Sequence, residues 1–336
     1  MPPPPKIRMA PGKKLSNFYE ESPNETAELK ASYQDLNDSD LIGIGELTNL
    51  TCIYLGGNKL NSIPPELSNL TNLTELILRE NKLNSIPPEL SNLSNLTQFW
   101  LDGNNLNSIP TELSNLTKLT GLSFSQNNLN SIPPELSNLT NLTILALNQN
   151  QLNSIPPELS NLTKLIGLHL YGNKLNSIPP ALSNLTNLNY LSLNHNNLTL
   201  IPPKLSKLTK IREINLNGNK LNSRPPELSR LSNLTALRLD QNKIRFLPLE
   251  FKNLNRLEDL LLYDNPRMIF PPKTILEKAN ANIDKTEEEW QKLGHPKANP
   301  KIILEYLETK EAEDLFMTLF PPSSFLQDIF NLFLSS

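Results

Sequence analysis

A 23-residue period governs this chain. Leu73-Thr-Glu-Leu76-Ile-Leu78-Arg-Glu-Asn81-Lys-Leu83 sets leucines and one asparagine at fixed offsets. The frame returns from Leu50, Leu96, Leu119, Leu142, Leu165, Leu188, Ile211, Leu234 and Leu257, which makes ten repeats with no gap. The asparagine returns with it, at Asn58, Asn81, Asn104, Asn127, Asn150, Asn173, Asn196, Asn219, Asn242 and Asn265. So short a unit cannot enclose an apolar core alone. It buries its leucines only by stacking on its neighbours, so the chain must fold as a solenoid.

Each position in the unit has a mechanical role. Leu76-Ile77-Leu78 alternates as a short strand does, with two leucines inward and Ile77 outward. The chain then turns, and the Asn81 amide sits inside the turn, where it satisfies backbone groups that would otherwise be buried unpaired. The ten asparagines are therefore expected to form a structural ladder. The return segment, Asn84-Ser-Ile-Pro-Pro-Glu-Leu90-Ser-Asn-Leu93, carries two prolines that exclude a strand but suit the first turn of a helix. Ile86, Leu90 and Leu93 then point inward from one or two helical turns. Narrow strands on one side and bulkier returns on the other bend such a stack, and ten strands about 4.8 Å apart span roughly 45–50 Å.

The frame resembles the leucine-rich-repeat family, L-x-x-L-x-L-x-x-N-x-L, over residues 50–267. That resemblance implies an α/β solenoid, a curved leucine-rich-repeat horseshoe with a parallel concave sheet, here with a small C-terminal helical region. The 23-residue length and the I-P-x-x-L return look like the intracellular class of Ras-group scaffolds and of the repeat domains of Roco-type proteins. Asn265-Pro266, Pro271-Pro272 and Ile303-Leu304-Glu-Tyr306-Leu307 are similar to the junction that leads into the GTPase in some Roco-like chains.

Four segments follow. Residues 1–25, rich in proline, read as a disordered tail; 26–49 as a degenerate capping repeat, with Gln34 at the ladder position; 50–272 as the ten repeats; 273–336 as a helical C-terminal cap. Thr286-Glu-Glu-Glu-Trp290 starts one helix, and Pro300 opens another whose Ile303, Leu304, Leu307, Leu315, Phe316 and Leu319 pack on the last repeat. A third apolar stretch, Phe325 to Leu334, is too short to span a bilayer and reads as a cap or partner-binding helix.

Composition narrows function by exclusion. The net charge of −3 supplies no general cationic field for nucleic acid or anionic membrane. One cysteine, Cys52, permits no internal disulfide, and no signal peptide or membrane-spanning run is present, so the expected location is cytoplasmic. Asn-Leu-Thr acceptors for glycosylation, at Asn49, Asn72, Asn95 and Asn141 among others, come from copying one unit and are read as structural. No phosphate loop, kinase signature, H-E-x-x-H or G-x-S-x-G motif occurs, and the histidines lack metal-site spacing. The chain is read as non-enzymatic, with no cofactor and no metal.

Where near-copies differ is informative. The return segments barely change, whereas no two repeats carry the same pair of residues at the outward strand position and two beyond it. Tyr54, Ile77, Arg79, Trp100 and Asp102 cluster over the first three full repeats; His169, Tyr171, Tyr190, Arg238, Asp240 and Tyr263 lie further along. Exposed Trp, Tyr and Arg are the residue types that dominate interface energetics. The column Glu66, Glu89, Glu112, Glu135, Glu158, broken by Ala181 and Lys204, reads as a solvated face. The function expected is a monomeric scaffold or adaptor in intracellular signalling that binds a protein, such as a small GTPase, on its concave face. The rival readings are the recognition domain of a bacterial effector or immune-type receptor, and the repeat portion of a larger GTPase or kinase.

Overall fold

The computed structural model describes residues 6–8, 28–222, 226–271 and 300–319. The chain forms two compact units, residues 1–196 and 197–336. In the first, nine three-residue strands follow one another in chain order: β1 (Lys6–Arg8), β2 (Glu28–Lys30), β3 (Cys52–Tyr54), β4 (Glu75–Ile77), β5 (Gln98–Trp100), β6 (Gly121–Ser123), β7 (Ile144–Ala146), β8 (Gly167–His169) and β9 (Tyr190–Ser192). The second holds β10 (Glu213–Asn215), β11 (Ala236–Arg238) and β12 (Asp259–Leu261). Pairing is parallel and shifts by one repeat, as in Glu75↔Gln98, Leu76↔Phe99 and Ile77↔Trp100. From β2 to β12 the middle residue of each strand is buried, and the alternation turns its neighbours outward. This is the solenoid that the period predicts.

The return segments form 3-10 turns of five residues, such as Pro65–Asn69, Pro88–Asn92 and Pro134–Asn138. The second proline opens the turn, where it has no hydrogen bond to lose. Five residues close on i→i+3 bonds, Leu90 N–H to Pro87 O at 3.1 Å and Leu93 N–H to Leu90 O at 3.1 Å. Those bonds bury Leu90 and Leu93 completely.

The asparagine ladder is present in full. In Asn81, Nδ2 donates to Leu55 O of the preceding repeat at 2.9 Å and to Leu78 O of its own at 3.1 Å, while Oδ1 accepts from Leu60 N–H at 3.1 Å. Asn104, Asn127, Asn150 and Asn173 repeat the pattern, and Asn242 and Asn265 do so in the second unit. All ten are buried. The residue before each takes a left-handed φ, from Gly57 (67°) and Glu80 (54°) to Gln241 (52°) and Asp264 (51°). That conformation costs a non-glycine residue roughly 1 kcal/mol, and the amide bonds beside it hold it in place.

Two further ladders run outside the core. Thr74, Thr97, Thr120 and Thr143 each donate a hydroxyl to the carbonyl of the equivalent residue one repeat earlier, at 2.9–3.2 Å. On the exposed edge, Asn72, Asn95, Asn141 and Asn187 donate Nδ2 to Thr48, Thr71, Thr117 and Thr163 carbonyls. Lys118 and Lys164 then donate to the Asn95 and Asn141 side-chain oxygens at 2.7 and 2.6 Å. The amide nitrogens that a glycan would need at Asn72, Asn95 and Asn141 are thus already engaged.

The first cap follows the frame. Ala31 is buried as a small substitute for leucine, and the Gln34 amide reaches Ser32 O and Tyr33 O. Asn37 and Asp40 close a capping box on the following 3-10 turn. One correction concerns residues 6–8, expected in a disordered tail. They form β1, paired Ile7↔Leu29, because the edge of β2 presents unpaired backbone groups that a nearby extended segment satisfies. At the other end, the segment opening at Pro300 is two helices, α1 (Pro300–Leu307) and α2 (Lys310–Leu319). Thr309 separates them, accepting from Ala312 N–H at 3.1 Å and donating to Tyr306 O at 2.7 Å. Ile303 and Leu307 are buried, and Tyr306 and Phe316 close on Phe270 with ring centroids 6.1 and 5.3 Å apart; Leu319, expected to pack, is 40 % exposed. The helix read at 286–290 and the apolar stretch 325–334 lie outside the described residues.

Replacing Asn150 by leucine leaves Leu129 N–H without its acceptor and takes one of two amide donors from each of the Phe124 and Leu147 carbonyls, which keep Asn127 and Asn173. At about 1–3 kcal/mol for a buried group left unpaired, Asn150→Leu should cost on the order of 1–3 kcal/mol. Asn141→Leu, on the exposed edge, should cost less than about 1 kcal/mol. Urea denaturation followed by circular dichroism compares the two; equal losses would mean that the ladder is not the buried keystone described.

Candidate protein-binding face

Strand alternation presents three outward positions per repeat: the two strand ends and the residue two beyond. Tyr54, Ile77, Trp100 and Ser123 are register neighbours on β3 to β6. Trp100 is the best supported of them. Its indole lies over the bare backbone of Gly121, where an added Cβ would meet the Gln98 amide oxygen and, at 3.1 Å, Trp100 Cζ2. The Arg79 guanidinium covers the same ring at 4.6 Å. Arg79 Nε donates to Asp102 Oδ2 at 2.8 Å, and Asp102 Oδ1 accepts from the Ser123 hydroxyl and from Ser125 N–H. At this exposure the ion pair itself contributes little. Its effect is to fix Arg79 against Trp100, which leaves both side chains with little rotamer freedom.

Beside this group the Tyr54 hydroxyl donates to Glu75 Oε2 at 2.7 Å, and Lys30 sits over the Tyr54 ring at 5.5 Å. Burial, with the bond to Glu75 next, pushes the phenol well above its ordinary range, so it stays protonated. Further along the first unit, the His169 ring folds over Gly167, with Nε2 3.0 Å from where a Cβ would be, and meets the Tyr190 ring at 4.8 Å. The backbone N–H of Tyr171 donates to Asn148 Oδ1 at 3.0 Å.

The later group read from the sequence does not form one cluster. His169, Tyr171 and Tyr190 belong to the first unit; Arg238, Asp240 and Tyr263 belong to the second. There Arg238 approaches Asp259 at 3.4 Å and Glu213 at 3.9 Å. Asp240 is 1 % exposed and Tyr263 8 %, so neither presents a side chain on an open face. The short aspartate is flanked in register by the larger Tyr263, and the buried phenol ring gives its apolar area to the fold. His195 takes a left-handed turn (φ 52°) before Asn196, away from the strand. Among the described residues no group of His, Cys, Asp or Glu is placed to hold a metal ion, and no helix is long and apolar enough to cross a membrane.

The structure adds residues that reading two outward columns overlooked. Glu75 and Gly121 support Tyr54 and Trp100 from the first strand position. Ile144 (38 % exposed) occupies that position on β7, and Ile166 (45 %) stands just before β8. Two-residue alternation places Glu75, Gly121 and Ile144 on the same face as the other columns, so a third column was there to be read.

Residues 48–106, 140–198 and 167–221 match the leucine rich repeat family model, and 118–139 a second model of the same repeat. A leucine-rich-repeat protein of Leptospira interrogans is 31 % identical, with 81 % of each chain covered and a TM-score of 0.57. The chain belongs to the leucine-rich-repeat family. An internalin of Listeria monocytogenes is 27 % identical over 73 % of this chain and 76 % of its own, with a TM-score of 0.61. The ectodomain of the Arabidopsis thaliana receptor kinase GASSHO1/SCHENGEN3, solved in complex with CASPARIAN STRIP INTEGRITY FACTOR 2, is 34 % identical over 65 % of this chain and 30 % of its own, with a TM-score of 0.52. No curated protein matches in sequence. Leucine-rich-repeat proteins are as a rule interaction modules and not enzymes, and this fold suggests a protein as partner.

Burial holds the His169 imidazole below its ordinary value of about 6.5. The unfolded chain therefore binds the proton first, so His169 favours folding above pH 6.5, and that contribution is lost as the pH falls below it. Between pH 7 and 5 the denaturation midpoint of the wild type should fall further than that of His169→Asn. An NMR titration placing the imidazole at or above 6.5 would contradict the burial.

Proposed function

We propose that this leucine-rich-repeat chain is a non-catalytic recognition module that takes a protein partner on the outward face of its sheet, centred on Trp100, Arg79 and Tyr54. One observation carries the reading. No two repeats carry the same pair of residues at the second strand end and two beyond it, while exposed return positions such as Asn84 and Glu89 stay nearly uniform. Exposure alone therefore does not account for the variety. The braced Trp100 supports the reading, since aromatic and arginine anchors with ordered neighbours dominate interface energies.

The finer reading is a scaffold in intracellular signalling, with a small GTPase or another signalling protein as partner. It rests on the likeness of the 23-residue frame to Ras-group and Roco-type repeats. The cytoplasmic location rests on a single free thiol, Cys52, in a family whose extracellular members usually seal their ends with disulfides. The bacterial relatives favour a second reading, the recognition domain of a bacterial effector or immune-type receptor.

Trp100→Ala combined with Tyr54→Ala should weaken a natural partner by roughly thirtyfold or more, the equivalent of about 2 kcal/mol. Glu89→Ala with Glu135→Ala, on the return side, should change affinity by less than about threefold. Calorimetric titration against one partner isolated with the wild type measures both, with circular dichroism as folding control. Binding lost in the glutamate pair and kept in the aromatic pair would place the interface elsewhere.

A further inference from the structure

The row of return-side glutamates is broken at Ala181 and Lys204 before it resumes at Glu227 and Glu250, and at the second break the surface changes character. Four surface places between residues 134 and 143 carry the exposed Glu135 and Asn138 and the half-exposed Asn141 and Thr143; the equivalent places from 203 to 212 carry Lys204, Lys207, Lys210 and Arg212. Formal charge over those ten residues goes from −1, for Glu135 alone, to +4. No other return segment exceeds zero, because each carries a glutamate or no more cations than acids. Leu200, 42 % exposed, replaces the serine of the six preceding repeats, so an aliphatic side chain appears at the same step.

The geometry concentrates these charges. Lys204 and Lys207 lie three residues apart on the 3-10 turn Pro203–Lys207, and at three residues per turn their side chains eclipse on one face. Arg230, at the place equivalent to Lys207, ends the turn Pro226–Arg230, which packs directly against it. All five cations are exposed. Among the described residues, Lys204, Lys207, Arg212 and Arg230 have no carboxylate within ion-pair distance. Stacked like charges repel and add nothing to the core, so the fold does not explain their gathering.

We propose that Lys204, Lys207, Lys210, Arg212 and Arg230, with Leu200 at their margin, form a second interaction surface that takes an acidic segment of a protein partner. Charge complementarity identifies the occupant: five clustered cations, four of them with no carboxylate within ion-pair distance, attract a run of carboxylates and speed its capture. A bilayer is the poorer fit, because interfacial binding needs a broad apolar face and only one exposed aliphatic residue accompanies the charges. A single-stranded nucleic acid is poorer still, because no aromatic platform for bases lies among them.

The test uses the full chain and fluorescently labelled poly-L-glutamate. Lys204→Glu, Lys207→Asn, Lys210→Asn and Arg212→Thr together restore residues that other repeats carry, so the variant is expected to melt as the wild type does. Fluorescence anisotropy should show poly-L-glutamate bound by the wild type, at least tenfold weaker in 300 mM than in 50 mM salt, and at least tenfold weaker by the restored variant. Unchanged binding in the restored variant overturns the proposal. So does wild-type binding to phosphatidylserine vesicles with none to poly-L-glutamate, which would make the surface a lipid contact. Trp100→Ala with Tyr54→Ala should leave this binding unchanged, which separates the surface from the sheet face.

Discussion

Everything in this molecule depends on one side-chain amide per repeat. A strand of three residues followed by a tight turn leaves backbone N–H and C=O groups pointing into a leucine-filled interior where water cannot reach them. Each ladder asparagine closes three such groups, two belonging to the preceding repeat and one to its own, as the Asn81 bonds to Leu55, Leu60 and Leu78 show. Unpaired, each such group would cost about 1–3 kcal/mol. The same bonds hold the left-handed residue before each asparagine, so the turn tolerates Glu80, Gln126 or Gln149 where glycine would be easiest.

Because the interior is so fully determined, the exterior is free to vary without endangering the fold. Outward strand positions point away from the leucines and the ladder, and that is where Trp100, Arg79 and Tyr54 appear. Their order comes from beside them on the sheet: Gly121 makes room for the indole, Asp102 and the two serines fix the guanidinium, and Glu75 anchors the phenol. On the proposed face each anchor is thus assembled laterally, from neighbouring strands, and a single repeat alone holds only part of it.

Much of the fold was legible in the sequence because the period is physical: Leu76 and Leu78 point inward for the reason that any alternating strand has two faces, and Asn81 has one use. The return segment read as helical and is 3-10, since five residues between proline and turn leave room only for the shorter ladder. The strand β1 was missed because the pull on Lys6–Arg8 comes from the open edge of β2, which no local pattern encodes. Asp240 and Tyr263 sat in outward columns yet are enclosed, since a column fixes direction and not what neighbouring side chains cover. Whole-chain charge concealed most: a net −3 averages a local +4 at residues 203–212 into insignificance.

The outer ladder carries a consequence for how a chain of this kind lengthens. Lys118 needs the Asn95 oxygen one repeat before it, and Lys164 needs Asn141. From Asn95 onward the position alternates Asn95, Lys118, Asn141, Lys164, Asn187, Lys210, Asn233, Arg256. The buried asparagine is indifferent to copy number, since any repeat fits after any other. The exposed clamp counts in twos. A gene-level insertion of one unit would set lysine against lysine or break a donor from its acceptor, whereas a 46-residue insertion keeps every clasp. The inheritable module beyond residue 95 is therefore the pair, even though the folding module is the single turn.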